Sequence, residues 1–96
     1  MRKEKWIDMI NILVVEDDAN MNKQVCSYLN NSGFAATGVL SGEDALDAMY
    51  NRLFELIISD IMMPGMDGFE LAGMVRQINK RIPILFMSAK DDLSSK

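Results

Sequence analysis

The feature that most constrains this sequence is a short apolar run ending in a single acid. Residues 56–59, Leu-Ile-Ile-Ser, precede Asp60, and residues 61–68 then form a loop that contains proline and glycine. An apolar run of this length is typical of a strand buried on both faces of a sheet. Open α/β sheets bind ligands at the carboxyl ends of such strands. Asp60 is therefore a candidate nucleophile or metal ligand, or simply a polar strand end.

Four strand patterns alternate with three helical patterns along the chain. We predict strands over residues 10–15, 34–40, 56–60 and 82–87, and helices over residues 19–31, 42–53 and 68–79. Strands separated by single helices imply right-handed crossovers, which place helices on both faces of a parallel sheet. The predicted fold class is therefore α/β, with a doubly wound parallel sheet.

The helical patterns are amphipathic, with apolar residues recurring at helical spacing. The residues expected to face inward are Met21, Val25, Tyr28 and Leu29 in the first helix, Ala45, Leu46, Met49, Tyr50 and Leu53 in the second, and Leu71, Met74, Val75 and Ile78 in the third. Cys26 is interpreted as a small apolar residue of the first helix. Ser41 is expected to cap the second helix, since an acid follows three residues later.

Composition excludes several classes of function. The chain has 96 residues, which suits one small domain, and we interpret residues 1–8 as a charged leader and residues 9–96 as the domain. The net charge of −4 argues against general nucleic-acid binding. Without histidine, most zinc sites and any Ser/His or Cys/His nucleophile pair are excluded. One cysteine and no long apolar segment predict a cytoplasmic protein that does not enter a membrane.

Polar side chains follow three of the four predicted strands. Glu16 and Asp17 follow the first strand, Asp60 ends the third and Ser88 follows the fourth. Because the carboxyl ends of parallel strands share one edge, these carboxylates repel one another, and Mg2+ with oxygen ligands would compensate their charge. A carboxylate beside Mg2+ can attack phosphorus and form an acyl phosphate, and the Ser88 hydroxyl can contact a phosphoryl oxygen. Each residue alone also fits a solvated loop or turn.

Three segments closely resemble the receiver domain of bacterial two-component response regulators. They are Ile-Leu-Val-Val-Glu-Asp-Asp at 12–18, Leu-Ile-Ile-Ser-Asp-Ile-Met-Met-Pro-Gly-Met-Asp-Gly-Phe-Glu-Leu at 56–71, and Pro-Ile-Leu-Phe-Met-Ser-Ala-Lys at 83–90. The resemblance implies a flavodoxin-like fold with strand order 2-1-3-4-5. It also implies a signalling switch rather than an enzyme, phosphorylated by a sensor histidine kinase and controlling a transcriptional output domain.

The resemblance assigns a role to each polar residue at the sheet edge. Asp60 would be the phosphoacceptor. Asp17 would bind Mg2+ directly, Glu16 would bind it directly or through water, and Met62 would contribute its backbone carbonyl. Ser88 would contact the phosphoryl group and begin the conformational switch.

The family pattern continues beyond the last residue of this sequence, Lys96. The resemblance therefore implies an incomplete receiver domain, without the fifth strand, the fifth helix, most of the fourth helix and the output domain. The fifth strand of the family carries a lysine that holds the phosphoryl group, so we expect weak Mg2+ binding with slow or absent phosphorylation. An uncovered, apolar fourth strand at residues 82–87 predicts self-association, by edge pairing or exchange of elements.

Two alternative functions are compatible with the fold. An aspartyl-nucleophile phosphatase or phosphotransferase would place a second acid two residues after Asp60, where Met62 stands. That residue counts against this alternative. The other alternative is an inactive structural interaction module in which the acids have no chemical role.

Overall fold

The computed structural model describes residues 9–87 as four strands and three helices. In chain order these elements are β1 (Asn11–Val15), α1 (Ala19–Asn31), β2 (Ala35–Val39), α2 (Gly42–Asn51), β3 (Leu56–Asp60), α3 (Gly68–Ile78) and β4 (Ile84–Met87). The predicted leader at residues 1–8 and the predicted site residue Ser88 lie outside the described residues. Within the described range, no helix has the length and apolar character needed to cross a membrane.

The four strands form one parallel sheet in the order β2-β1-β3-β4. This arrangement confirms the predicted parallel α/β fold and the expected order of the first four strands. β1 and β3 lie at the centre, with Val15 opposite both Val39 of β2 and Ser59 of β3. Asp60 pairs with Met87, so β1, β2, β3 and β4 all end along the same edge of the sheet.

One face of the sheet packs against α2 and α3. Leu13, Val15 and Ile57 lie in a core cluster with side chains of these two helices, such as Ala45 of α2 and Val75 of α3. Alternate residues of a strand point to opposite faces, so the buried Ile12 and Val14 face the other side of the sheet. α1 contacts β1 and β2 and contributes no residue to the core cluster. Burial on both faces explains why β1 and β3 are almost wholly apolar.

The predicted inward faces of the helices were only partly correct. Five residues that the spacing placed inward are about half exposed or more: Tyr28, Tyr50, Leu53, Met74 and Ile78. The prediction for Leu53 was wrong because α2 ends at Asn51, and a side chain beyond the helix end no longer follows the helical face. For the other four, apolar spacing gives the direction of a face but not the extent of the sheet beneath it.

An oxygen-bearing side chain caps the start of each helix. Asp18 accepts the Met21 N–H at 3.1 Å before α1, and Ser41, as predicted, accepts the Asp44 N–H at 3.1 Å before α2. Asp67 forms a reciprocal capping box with Glu70 before α3. These bonds satisfy amide groups that have no partner inside the helix. Two of the caps, Asp18 and Asp67, follow the strands that carry the candidate site.

Candidate metal centre

Three carboxylates meet at the carboxyl edge of the sheet. Glu16, Asp17 and Asp60 each offer one oxygen, and these oxygens lie within 4.8 Å of one another. Glu16 and Asp60 are 0% and 1% exposed. The cluster forms because β1 and β3 are adjacent, so the residue that ends β3 lies beside the two that follow β1. Three of the predicted site residues are therefore brought together.

Two hydrogen bonds of Glu16 fix the loop that follows β1. The Glu16 N–H donates to the Val39 carbonyl oxygen at 3.1 Å, which joins this residue to the end of β2. Glu16 Oε2 in turn accepts the Asp18 N–H at 2.8 Å. The Glu16 carboxylate is thus anchored at the start of α1, with Asp17 between the two bonded residues.

The loop after β3 passes very close to Asp60. The Gly68 N–H donates to the Ile61 carbonyl oxygen at 2.8 Å, and Ser59 Oγ donates to the Asp60 carbonyl oxygen at 2.9 Å. A Cβ placed on Gly68 would lie 2.3 Å from that same Asp60 oxygen. Only glycine allows this approach, so Gly68 helps to fix the backbone of the candidate nucleophile.

Replacing Gly68 with alanine is expected to destabilise the fold and weaken divalent-cation binding. The added methyl group would force backbone to move, and overpacking of this kind typically costs about 1–3 kcal/mol. Gly73→Ala is the matched control, because a Cβ at this position of α3 meets nothing within 4 Å. Alanine there should stabilise the helix by about 0.5–1 kcal/mol. Urea unfolding of both variants measures the difference, and equal stabilities would contradict the role given to Gly68.

The donor set fits a hard divalent cation. All three groups are carboxylates, and Asp17 Oδ1 is buried without a hydrogen-bond partner in the described part of the chain. A buried acceptor of this kind is costly unless something binds it. Mg2+ prefers oxygen ligands and retains several waters, so it needs few carboxylates from the protein. The residues present therefore suit Mg2+.

Met62, another predicted site residue, lies in the loop that follows β3. The Met62 side chain is 57% exposed, and the role predicted for its backbone carbonyl stays a prediction. Sequence reasoning missed Asn22, which is buried at the site end of α1. The available signal was a polar residue on the helical face shared with Val25 and Leu29.

The match to a known family covers most of the chain. Residues 12–96 match the model of the response regulator receiver domain. The chain therefore belongs to the response regulator receiver domain family. Receiver domains generally act as signalling switches rather than enzymes.

Individual relatives agree with this assignment. Heme response regulator HssR of Staphylococcus epidermidis is 40% identical over 88 residues, which are 92% of this chain and 39% of HssR. Transcriptional regulatory protein RprY of Bacteroides fragilis is 40% identical over 87 residues, covering 88% of this chain and 37% of RprY. The structure of Vibrio cholerae chemotaxis protein CheY4 superposes with a TM-score of 0.80 at 30% identity, covering 90% of this chain and 76% of CheY4. The chain thus spans about two-fifths of the length of these curated relatives.

Proposed function

We propose that this chain is a cytoplasmic phosphoacceptor switch in which Asp60 receives a phosphoryl group from a sensor histidine kinase, in a step that requires Mg2+. The observation that carries the proposal is the position of the Asp60 carboxylate. It is buried at the end of a central strand, with an oxygen within 4.8 Å of oxygens from Glu16 and Asp17. Membership of the receiver family supports the same assignment.

The proposed chemistry is an in-line displacement at phosphorus. An Asp60 carboxylate oxygen forms the new P–O bond while the P–N bond of the phosphohistidine breaks, and the imidazole nitrogen keeps the bonding electrons. Glu16 and Asp17 would hold Mg2+, with the backbone carbonyl of Met62 as a further ligand and Ser88 in contact with the phosphoryl group. The bound cation supplies neutralisation of charge on the phosphoryl oxygens. The chain's own contribution is to fix the nucleophile on a rigid strand.

A small phosphodonor tests this proposal without knowledge of the cognate kinase. The chain is incubated with phosphoramidate and either Mg2+ or EDTA, and the intact mass is followed over time. Of the slow or absent phosphorylation expected from the sequence, we propose slow phosphorylation. We expect a phosphoryl adduct that forms slowly with Mg2+, does not form with EDTA and is removed by hydroxylamine, as an acyl phosphate would be. An adduct that forms equally well in EDTA, or one that resists hydroxylamine, would contradict the proposal.

We further propose that the phosphorylated switch controls a transcriptional output. The support comes from relatives such as RprY, which is named as a transcriptional regulatory protein and is matched over only 37% of its length. The relatives' remaining length is where an output segment would lie. The proposal makes the receiver a control element rather than a DNA-binding unit, in keeping with its net charge of −4.

We also propose that two copies of the 96-residue chain associate through β4. This strand is one of the two outer strands of the described sheet, and Leu85 is 55% exposed. Phe86 of the same strand packs edge-to-face on Phe69 of α3, with ring centroids 4.9 Å apart, and both residues are exposed. Exposed apolar side chains on an outer strand favour association.

Light scattering after size-exclusion chromatography tests this association. We expect the wild-type chain to be dimeric or larger, and Leu85→Lys to shift it to monomer because a charge cannot be buried at the contact. Leu53→Lys is the control, since Leu53 is 88% exposed and lies after α2. A wild-type chain that stays monomeric at all concentrations would contradict the proposal.

A further inference from the structure

Asn22 is a polar residue in a position where a helix normally buries an apolar one. It is the buried residue of α1 in the described structure, with only 6% of its surface exposed. It lies one helical turn after Asp18, which caps the same helix. Buried amide side chains are costly unless their hydrogen bonds are made. The partners of Asn22 therefore indicate what the residue does.

The amide group of Asn22 ties together the ends of two strands. Its Nδ2 donates to the carbonyl oxygen of Glu16 at 3.0 Å and to that of Val39 at 2.8 Å. The Val39 oxygen also accepts the Glu16 N–H at 3.1 Å. Both amide hydrogens are thus used, and the end of β1, the end of β2 and the first turns of α1 are joined around one side chain.

The surroundings leave the amide a single orientation. A Cβ on Gly38 would lie 2.0 Å from Asn22 Oδ1, so β2 has no side chain at the point where Asn22 packs against it. The Cys26 thiol donates to the same oxygen at 3.5 Å. Burial raises the pKa of this thiol, which keeps it protonated as a donor at neutral pH. With Oδ1 facing Gly38 and Cys26, Nδ2 must face the two carbonyl groups.

The Glu16 carbonyl belongs to the peptide group that joins Glu16 to Asp17. Because a peptide group is planar, hydrogen bonds that fix this carbonyl also fix the plane in which the α-carbons of both acids lie. Groups that orient metal ligands through hydrogen bonds, without touching the metal, typically contribute about 10- to 100-fold to metal affinity. Asn22 is in a position to play such a role, because it hydrogen-bonds the backbone of the two acids that follow β1 rather than their carboxylates.

We propose that Asn22 is a positioning residue for the metal centre, holding the Glu16–Asp17 peptide so that both carboxylates face Asp60. This inference rests on the proposed Mg2+ binding and adds to it a residue that touches neither the cation nor the phosphoryl group. Its prediction is specific: loss of the Asn22 amide lowers Mg2+ affinity in a folded protein.

The test compares two asparagines that link α1 to β2. Asn22→Leu removes the buried amide with little change in volume. Asn30→Leu is the matched control, because Asn30 Oδ1 accepts the Ala36 N–H at 2.9 Å at the opposite end of the same helix and strand. Mg2+ affinity is measured by NMR titration and stability by urea unfolding. We expect the Mg2+ Kd to rise about 10- to 100-fold in Asn22→Leu and to stay unchanged in Asn30→Leu, although both variants lose stability.

If Asn22→Leu does not fold, a second variant and a measurement on the wild-type chain still test the inference. Gly38→Ala keeps every donor but displaces the Asn22 side chain, and it should also weaken Mg2+ binding. In the wild-type chain, saturation with Mg2+ should shift the side-chain amide resonances of Asn22 and leave those of Asn30 in place.

The outcomes separate this inference from the proposed function. A folded Asn22→Leu or Gly38→Ala variant with wild-type Mg2+ affinity overturns the inference alone, as do unshifted Asn22 amide resonances in a wild-type chain that binds Mg2+. No saturable Mg2+ binding by the wild-type chain overturns the proposed function and the inference with it.

Discussion

Replacing Asp60 with asparagine is expected to abolish phosphoryl transfer to this chain. Asparagine fits the space at the end of β3 but has no anionic oxygen to attack phosphorus, so no acyl phosphate can form. The measurement is the intact mass after long incubation with phosphoramidate and Mg2+, before and after hydroxylamine. The wild-type chain should gain a hydroxylamine-labile adduct slowly, and Asp60→Asn should gain none.

Asp67→Asn is the matched control for this experiment. Asp67 belongs to the same loop after β3 and caps α3, and asparagine caps helices about as well as aspartate does. This variant should be phosphorylated as the wild-type chain is. A labile adduct on Asp60→Asn, or its loss from Asp67→Asn with Asp60 intact, would contradict the assignment of Asp60 as the phosphoacceptor.

Replacing Asp17 with asparagine is expected to lower Mg2+ affinity strongly. Loss of a residue that only orients a metal ligand typically costs about 10- to 100-fold, and loss of a ligand should cost at least as much. The substitution removes one negative charge from the cluster and one ligand oxygen. Without Mg2+, the same variant should unfold at a higher temperature than the wild-type chain, because repulsion among the three carboxylates is reduced. Titration calorimetry with Mg2+ and thermal unfolding in EDTA measure these two opposite effects.

Asp18→Asn separates a specific ligand effect from a general loss of charge. Asp18 is adjacent in sequence, and its side chain accepts the Met21 N–H rather than joining the carboxylate cluster. Asparagine preserves that cap, so Mg2+ affinity should change little. Equal losses of affinity in Asp17→Asn and Asp18→Asn would show that net charge, rather than ligation by Asp17, controls binding.

The position of the site was predictable because it depends on strand ends. Apolar runs identify β1 and β3, and a parallel sheet requires their carboxyl ends to lie along one edge. The strand ends therefore predict that Glu16, Asp17 and Asp60 lie in one region, and the structure places an oxygen of each within 4.8 Å of the others. The strand order itself came from the family resemblance, since alternation of strands and helices fits more than one parallel order.

The supporting contacts were not predictable from local patterns. The role of Asn22 was missed because it depends on a hydrogen bond to Val39, 17 residues away, and on the space left by Gly38. Tyr28 was placed inward by its spacing, yet it is 72% exposed, whereas the next residue, Leu29, is partly buried. Such contacts follow from how the helix lies on the sheet, which periodicity alone does not determine.

Binding of Mn2+ to the wild-type chain, mapped by NMR, tests the central claim most directly. Mn2+ prefers the same oxygen ligands as Mg2+ and broadens the resonances of nearby nuclei. We expect a small amount of Mn2+ to broaden the amide resonances of Glu16, Asp17 and Asp60 selectively, and excess Mg2+ to restore them. Uniform broadening over other acidic surfaces, such as that around Glu43 and Asp44, or broadening that Mg2+ does not reverse, would contradict a Mg2+ site at this edge of the sheet.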